Sequence, residues 1–78
     1  MKQWQVVVHD DAVNSYPVVV HVLNRVAGLS LDEAVAATAR VQEAGEAAIS
    51  STSRPAAEAT VAQLRGYGLV ATVDWSRS

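Results

Sequence analysis

Turn and capping residues divide this chain into six short segments, and this division limits the folds that it can adopt. Residues 14–17 and 52–55 each combine a polar cap with a proline, the pattern of a helix that begins there. Ser30 and Glu33 have the spacing of a capping box, in which each side chain accepts from the other residue's amide. Glycine then ends each of the three predicted helices, at Gly28, Gly45 and Gly66.

These boundaries predict strands over residues 4–8, 46–51 and 69–75, and helices over residues 17–27, 31–44 and 55–66. The predicted fold class is α+β, a two-layer β-α-α-β-α-β domain with three helices on one face of a three-stranded sheet. A right-handed crossover through the third helix makes the last two strands parallel. We expect the first strand to lie between them, antiparallel to both. Residues 1–78 form a single domain with an ordered core at about 4–75 and a frayed tail at 76–78.

Apolar residues recur at helical spacing and indicate which face each helix buries. The predicted inward residues are Val19, Val22, Leu23 and Val26 in the first helix, Leu31, Ala34, Val35, Thr38 and Val41 in the second, and Ala57, Val61 and Leu64 in the third. His21 follows Val19 by two positions, which places it on the solvent side of the first helix.

The composition excludes several classes of protein. Half of the residues are apolar, but alanine and valine dominate and phenylalanine is absent, which predicts a small core of modest stability. The six Lys and Arg are scattered and the formal charge is −2, so we expect no nucleic-acid partner. Without cysteine there is neither a disulfide framework nor a cysteine-based zinc site. The absence of a long apolar stretch and of a signal peptide predicts a cytoplasmic protein with no membrane partner.

Three polar residues, His9, Asp10 and Asp11, stand where the valine run 6–8 predicts the end of a buried strand. Carboxylates with spare acceptors suit an ammonium group, and Asp10 or Asp11 can point across the start of the first helix. The alternative is that both acids form a turn and place negative charge near a helix N-terminus. The residues alone leave both interpretations open.

Enzyme chemistry has no visible basis in the sequence. Three consecutive side chains rarely converge on one metal ion, and no second cluster completes a site with His9, Asp10 and Asp11. The chain also lacks a nucleophile elbow and a glycine-rich phosphate loop. We therefore expect a protein that is not an enzyme and that needs no metal or cofactor.

Five stretches of the chain are similar to one known family: DDAVNSY, VVHVLNRVAG, VQEAGEAAI, SRPAAEATVAQL and GYGLVATV. Together they span about residues 4–74 and resemble the ClpS adaptors, which deliver substrates to the AAA+ unfoldase of the Clp protease. The resemblance implies the same order of helices and strands. It also implies recognition of N-degrons, which are proteins that begin with a bulky hydrophobic residue.

The resemblance also implies a set of site residues. In the family, an Asn-Asp-Asp segment and a histidine late in the second helix bind the substrate's α-amine; these positions fall on His9, Asp10, Asp11 and Gln42. The loop and pocket positions fall on Asn14, Tyr16, Val19, Thr38, Val41 and Leu69. On the third helix, Glu58 matches a residue of the surface that contacts the N-terminal domain of the unfoldase.

The chain departs from the family at several of these positions. Gln42 replaces the histidine, although its amide oxygen still accepts a hydrogen bond from an ammonium group. Thr38 replaces a methionine and makes the pocket wider and more polar, whereas Tyr16 replaces the methionine at its mouth and narrows it.

A second resemblance supports an alternative function. The stretch GLSLDEAV, residues 28–35, resembles the C-terminal domain of the bacterial ribosomal stalk protein, which has the same order of elements. That domain recruits translation factors through basic helix surfaces. The alternative is therefore a protein–protein interaction module that docks through its helices and binds no N-degron.

Overall fold

A computed structural model describes residues 2–11 and 13–77 of the chain. Its elements are β1 (Lys2–His9), α1 (Tyr16–Arg25), α2 (Leu31–Ala44), β2 (Glu46–Ser51), α3 (Arg54–Gly66) and β3 (Val70–Arg77). The predicted fold class and order of elements are confirmed. Helix α2 has the predicted bounds because both of its ends are set locally: Ser30 and Glu33 form both bonds of the capping box, and Gly45 has a left-handed φ of 86°.

The strands lie in the order β2-β1-β3, and β1 is antiparallel to both neighbours. The predicted central position of the first strand is confirmed. Strand β3 pairs with β1 as far as Arg77, which lies opposite Lys2. The backbones of Ser76 and Arg77 therefore have ladder partners in β1, and fraying of the tail stays a prediction. Ser78 lies outside the described residues.

One apolar core lies between the sheet and the three helices. Val6 and Val8 point into this core, whereas Val7 lies on the other face because side chains alternate along a strand. Helix α3 packs on β1 and β3, and α2 packs on β2 and against α1. The core residues with 0 % exposure are Leu23, Ala34, Ala57 and Leu64. Two of these four are alanines, so the backbones can approach each other closely.

The buried face of α2 differs from the prediction. It consists of Ala34, Ala37, Thr38 and Val41. The predictions for Leu31 and Val35 are wrong, since these side chains are 62 % and 41 % exposed. At 100° per residue, they are turned about 70° and 110° from the middle of the buried stripe. The burial of Ala37 could not be predicted from the sequence pattern, because alanine occurs on every side of this helix. On α1, His21 is exposed, as predicted.

Within residues 2–11 and 13–77, no helix combines the length and the apolarity that a membrane span needs. The same residues contain no group of three or more His, Asp or Glu that could hold a metal ion.

Candidate functional site

One hollow lies where the end of β1 meets the first two helices and the turn before β3. Its lining consists of Val8, His9, Asp10, Asp11, Asn14, Val19, Thr38, Val41, Gln42 and Leu69. Nine of the ten ligand contacts expected from the sequence belong to this lining, and Tyr16 is the tenth. Val8 was missed, although it is the last inward-facing residue of the valine run. That these side chains bind a ligand stays a prediction.

Asp10 is the exposed acid of this hollow. Strand β1 ends at His9, and the next backbone amide, that of Asp10, donates to the Gly45 carbonyl across 2.8 Å. The end of β1 is thereby tied to the C-terminus of α2. None of the hydrogen bonds and ion pairs found among the described residues involves the Asp10 carboxylate. No described neighbour therefore competes with a cation for its oxygens.

Asp11 organises the loop between β1 and α1. Its Oδ1 accepts hydrogen bonds from the backbone amides of Val13 and Asn14, each at 2.8 Å, and Asn14 Nδ2 lies within 3.3 Å of both carboxylate oxygens. The pKa of Asp11 is lowered, first by the Asn14 backbone amide, then by the Asn14 side chain and the Val13 amide. Asp11 is therefore ionised at neutral pH, and much of its acceptor capacity is used within the loop.

His9 borders the hollow at the end of β1, but its ring contacts the neighbouring strands. Nε2 lies 2.9 Å from the hydroxyl oxygen of Thr72, and Nδ1 lies 3.9 Å from a carboxylate oxygen of Glu46. Because Val8 faces the core, the alternation of side chains places the His9 ring on the opposite face of the sheet. A ligand amine in the hollow would meet the Asp10 side of the strand end first.

The walls of the hollow are apolar and tightly packed. Val19, Thr38, Val41 and Leu69 are all buried. The Thr38 hydroxyl donates to the Ala34 carbonyl across 2.7 Å, so it is satisfied within α2. The hollow has a free volume of about 10 Å³, which is about the room that one water molecule needs. A larger group can enter only when the walls move apart.

Leu69 lies just before β3 rather than within it. Its amide donates to the Leu64 carbonyl across 3.1 Å, which closes the turn after α3. The predicted start of the last strand is therefore one residue early. This turn, and not the strand ladder, positions the Leu69 side chain against the hollow.

Tyr16 is in the first turn of α1, outside the lining of the hollow. Its hydroxyl donates to the Val35 carbonyl of α2 across 3.2 Å. The side chain therefore bridges the two helices whose separation would open the hollow. Its expected role at the mouth of the pocket stays a prediction.

Glu58 is an exposed residue of α3, an element that contributes none of the residues lining the hollow. It pairs with Arg54, one helical turn earlier, across 3.2 Å. The Arg54 guanidinium also lies over the Trp4 ring at 5.5 Å, and the Trp4 and Trp75 rings are 4.7 Å apart. The predicted docking residue thus belongs to an ordered surface of α3, β1 and β3.

A larger, open groove of about 380 Å³ lies between α2 and β2. It is lined by Leu29, Glu33, Ala36, Ala37, Arg40, Ala48, Ile49 and Ser50. Glu33 is its only acid, and its carboxylate already accepts from the Ser30 amide, which lowers the pKa of Glu33. We assign the candidate site to the smaller hollow because, among the hollows lined by described residues, it is the one in which a carboxylate without a hydrogen-bond partner adjoins buried apolar walls.

Comparison with known proteins identifies the family. The family model described as "ATP-dependent Clp protease adaptor protein ClpS" matches residues 1–72. A ClpS adapter protein of Streptomyces coelicolor is 38 % identical over 74 residues, which are 95 % of this chain and 77 % of the relative. The ClpS adapter of Streptomyces avermitilis is 36 % identical over 95 % of this chain and 70 % of its own length. That of Mycobacterium tuberculosis is 33 % identical over 97 % and 75 %. The chain therefore belongs to the ClpS family, the adaptor proteins of the ATP-dependent Clp protease.

Proposed function

We propose that this chain recognises proteins by a free N-terminal amine and a bulky hydrophobic first residue, and delivers them to the AAA+ unfoldase of the Clp protease. One observation carries the proposal: the exposed carboxylate of Asp10 stands beside a hollow with buried apolar walls. A protein's first residue presents the matching pair, a cationic amine next to a side chain. The protein acts in the cytoplasm as an adaptor, binds its substrate without transforming it, and needs no cofactor.

The amine is held mainly by Asp10. A hydrogen bond between an ammonium group and a carboxylate contributes about 1.5–3 kcal/mol. Gln42, exposed on α2 at the rim of the hollow, offers its amide oxygen as a second acceptor. The His9 ring lies against Thr72 and Glu46 on the other face of the sheet, so Asp10 and Gln42 provide the acceptors for the amine. Acetylation of the amine removes its charge and two of its donors, and therefore weakens binding.

The first side chain enters between Val19, Val41 and Leu69. The free volume of about 10 Å³ means that α1 and α2 must separate before a bulky residue fits. The apolar surface that the ligand side chain buries contributes about 25 cal/mol of binding free energy per Å². This contribution offsets the cost of separating the helices. Large hydrophobic first residues are therefore favoured over small ones, which bury too little area to drive the opening.

Delivery uses a different surface, around Glu58 on α3. Because α3 contributes no residue to the described lining of the hollow, substrate and unfoldase can bind at the same time. Glu58 is exposed and held by Arg54, so it presents an oriented carboxylate to the N-terminal domain of the unfoldase.

The decisive experiment is a titration with a peptide that begins with Leu or Phe and with its N-acetylated twin. We expect measurable affinity for the free peptide, at least tenfold weaker affinity for the twin, and a similar loss for Asp10→Asn. Equal affinity for the two peptides would rule out recognition of the amine. A pull-down with the N-terminal domain of the unfoldase tests delivery separately, with Glu58→Ala expected to reduce capture and Glu43→Ala, on α2, expected to leave it intact.

The small volume of the hollow favours a second candidate function. If the hollow stays closed, the protein would act as an interaction module that binds a partner protein through its helices, where Leu31 and Val35 are exposed. In that case neither peptide would bind, and Leu31→Ser would weaken capture of a protein partner while Asp10→Asn would not.

A further inference from the structure

Two segments that are far apart in the sequence meet beside the candidate site. The loop of residues 10–15 carries Asp10, and the turn after α3 carries Leu69. Among the hydrogen bonds of the described residues, one joins these segments: Asn14 Nδ2 donates to the Gly68 carbonyl across 2.9 Å, between residues 54 positions apart. Gly68 immediately precedes Leu69, so this bond acts on one wall of the hollow.

The side-chain amide of Asn14 has two donor hydrogens, and both have a partner. Nδ2 lies 2.9 Å from the Gly68 carbonyl oxygen and 3.2 Å from Asp11 Oδ2. The same nitrogen thus bonds the acidic loop and the turn that holds the apolar wall. Gly68 has a left-handed φ of 86°, and a Cβ there would come no closer than 4.0 Å to Asn14 Nδ2. The bond therefore depends on the direction of the Gly68 carbonyl and not on close packing of side chains.

Donor chemistry is specifically required at position 14. The Asp11 carboxylate and the Gly68 carbonyl are both acceptors, and Asn14 is the group between them that donates to each. An aspartate of almost the same shape would add a third acceptor and a second negative charge. Its carboxylate would repel Asp11 and leave the Gly68 carbonyl without its bond.

We propose that Asn14 is a positioning residue: its amide clamps the acidic loop to the turn before β3, and thereby sets the distance between the Asp10 carboxylate and the Leu69 wall. This inference rests on the proposed recognition of an N-terminal residue. The amine and the side chain of one residue are attached to the same Cα, so the distance between them is nearly fixed. The distance between the Asp10 carboxylate and the Leu69 wall must match it. Asn14 itself need not touch the ligand.

The test compares Asn14→Asp with Asn14→Ala in titrations of a peptide beginning with Leu and its N-acetylated twin. We expect wild-type affinity for the free peptide to exceed that of Asn14→Ala by about fivefold and that of Asn14→Asp by more. The preference for the free amine over the acetylated twin should shrink in Asn14→Ala, which removes the clamp without changing any charge. A role in shape alone predicts the reverse order, because aspartate preserves the shape and alanine does not.

Asn24 provides a matched control. Its Nδ2 donates to the Leu29 carbonyl across 2.8 Å, which is also a bond from an asparagine side chain to a backbone carbonyl, at the other end of α1. Asn24→Ala and Asn24→Asp should lower the melting temperature while peptide affinity stays within twofold of wild type. Equal losses of affinity in the Asn24 and Asn14 variants would overturn the inference, because they would indicate general destabilisation.

Hydrogen exchange provides a measurement without peptide. Asn14→Asp should speed the exchange of the Val13 and Asn14 amides, which donate to Asp11, several-fold more than that of the Asp10 amide, which donates to Gly45. Unchanged exchange in the loop would overturn the clamp. If the wild-type protein binds the peptide and both Asn14 variants bind it with the same affinity, the positioning role alone is overturned. If the wild-type protein binds no peptide with a free amine, both the proposed function and the positioning role are overturned.

Discussion

The hydroxyl of Tyr16 donates a hydrogen bond of 3.2 Å to the backbone carbonyl of Val35, which joins the first turn of α1 to α2. Tyr16→Phe removes this bond and little else. We expect the free energy of unfolding to fall by about 0.5–1.5 kcal/mol in urea denaturation. Tyr67→Phe is the control, since Tyr67 is 60 % exposed, and it should change stability by less than about 0.5 kcal/mol. Equal effects of the two substitutions would show that the bond contributes nothing.

The two neighbouring acids should respond differently to the loss of charge. Asp11→Asn removes the ionised acceptor of the Val13 and Asn14 amides, so it should lower the melting temperature measured by circular dichroism. Asp10→Asn should leave the melting temperature within about 3 °C of wild type, because no described group bonds that carboxylate and surface changes usually stay within about 0.5 kcal/mol. Its effect should appear in peptide affinity instead. A melting temperature lowered more by Asp10→Asn than by Asp11→Asn would contradict this division of roles.

The lowered pKa of Asp11 predicts a stability that depends on pH. A carboxyl whose pKa is lower in the folded state contributes stability above its unfolded value, here 3.8, and this contribution is lost as the pH falls through the folded value. The stability difference between wild type and Asp11→Asn should be constant from pH 7 to about pH 5 and should shrink in acid. Chemical denaturation at several pH values measures it. Glu33 titrates in the same direction, so Glu33→Gln must be run in parallel.

Gly45 is held in a conformation that other residues adopt with strain. Its φ is 86°, and its carbonyl accepts from the Asp10 amide. Gly45→Ala should therefore destabilise the protein by about 1 kcal/mol, although a Cβ there meets nothing within 4 Å. Gly66→Ala, at the end of α3 with the same free space, should be neutral or stabilise by up to about 1 kcal/mol. Similar free energies of unfolding for the two variants would contradict the strain at Gly45.

Local signals made the helices predictable. The bounds of α2 follow from Ser30, Glu33 and Gly45, whose effects act within one turn of the chain. The strand ends were less predictable because they depend on a partner. Arg77 is part of β3 only because Lys2, at the other end of the sequence, lies opposite it.

The candidate site shows the same contrast. Nine of the residues implied by the resemblance line one hollow, and their binding of a ligand stays a prediction. The different environments of Asp10 and Asp11 were not foreseen, because adjacent identical residues look alike in a sequence. The Asn three residues after Asp11 is the local signal that could have shown which acid builds the loop. The closed state of the hollow could not be predicted, since it depends on how side chains of α1, α2, the end of β1 and the turn before β3 pack.

The rings of Trp4 and Trp75, tilted by 45° with their centroids 4.7 Å apart, make the protein's intrinsic fluorescence a selective reporter. They are the two tryptophans of the chain, and they join its first and last strands. Trp4 is five residues from His9 along β1, roughly 17 Å at 3.4 Å per residue. Tryptophan emission will therefore follow the assembly of the chain's two ends during refolding and stay almost silent during a peptide titration, for which a labelled peptide is the better probe.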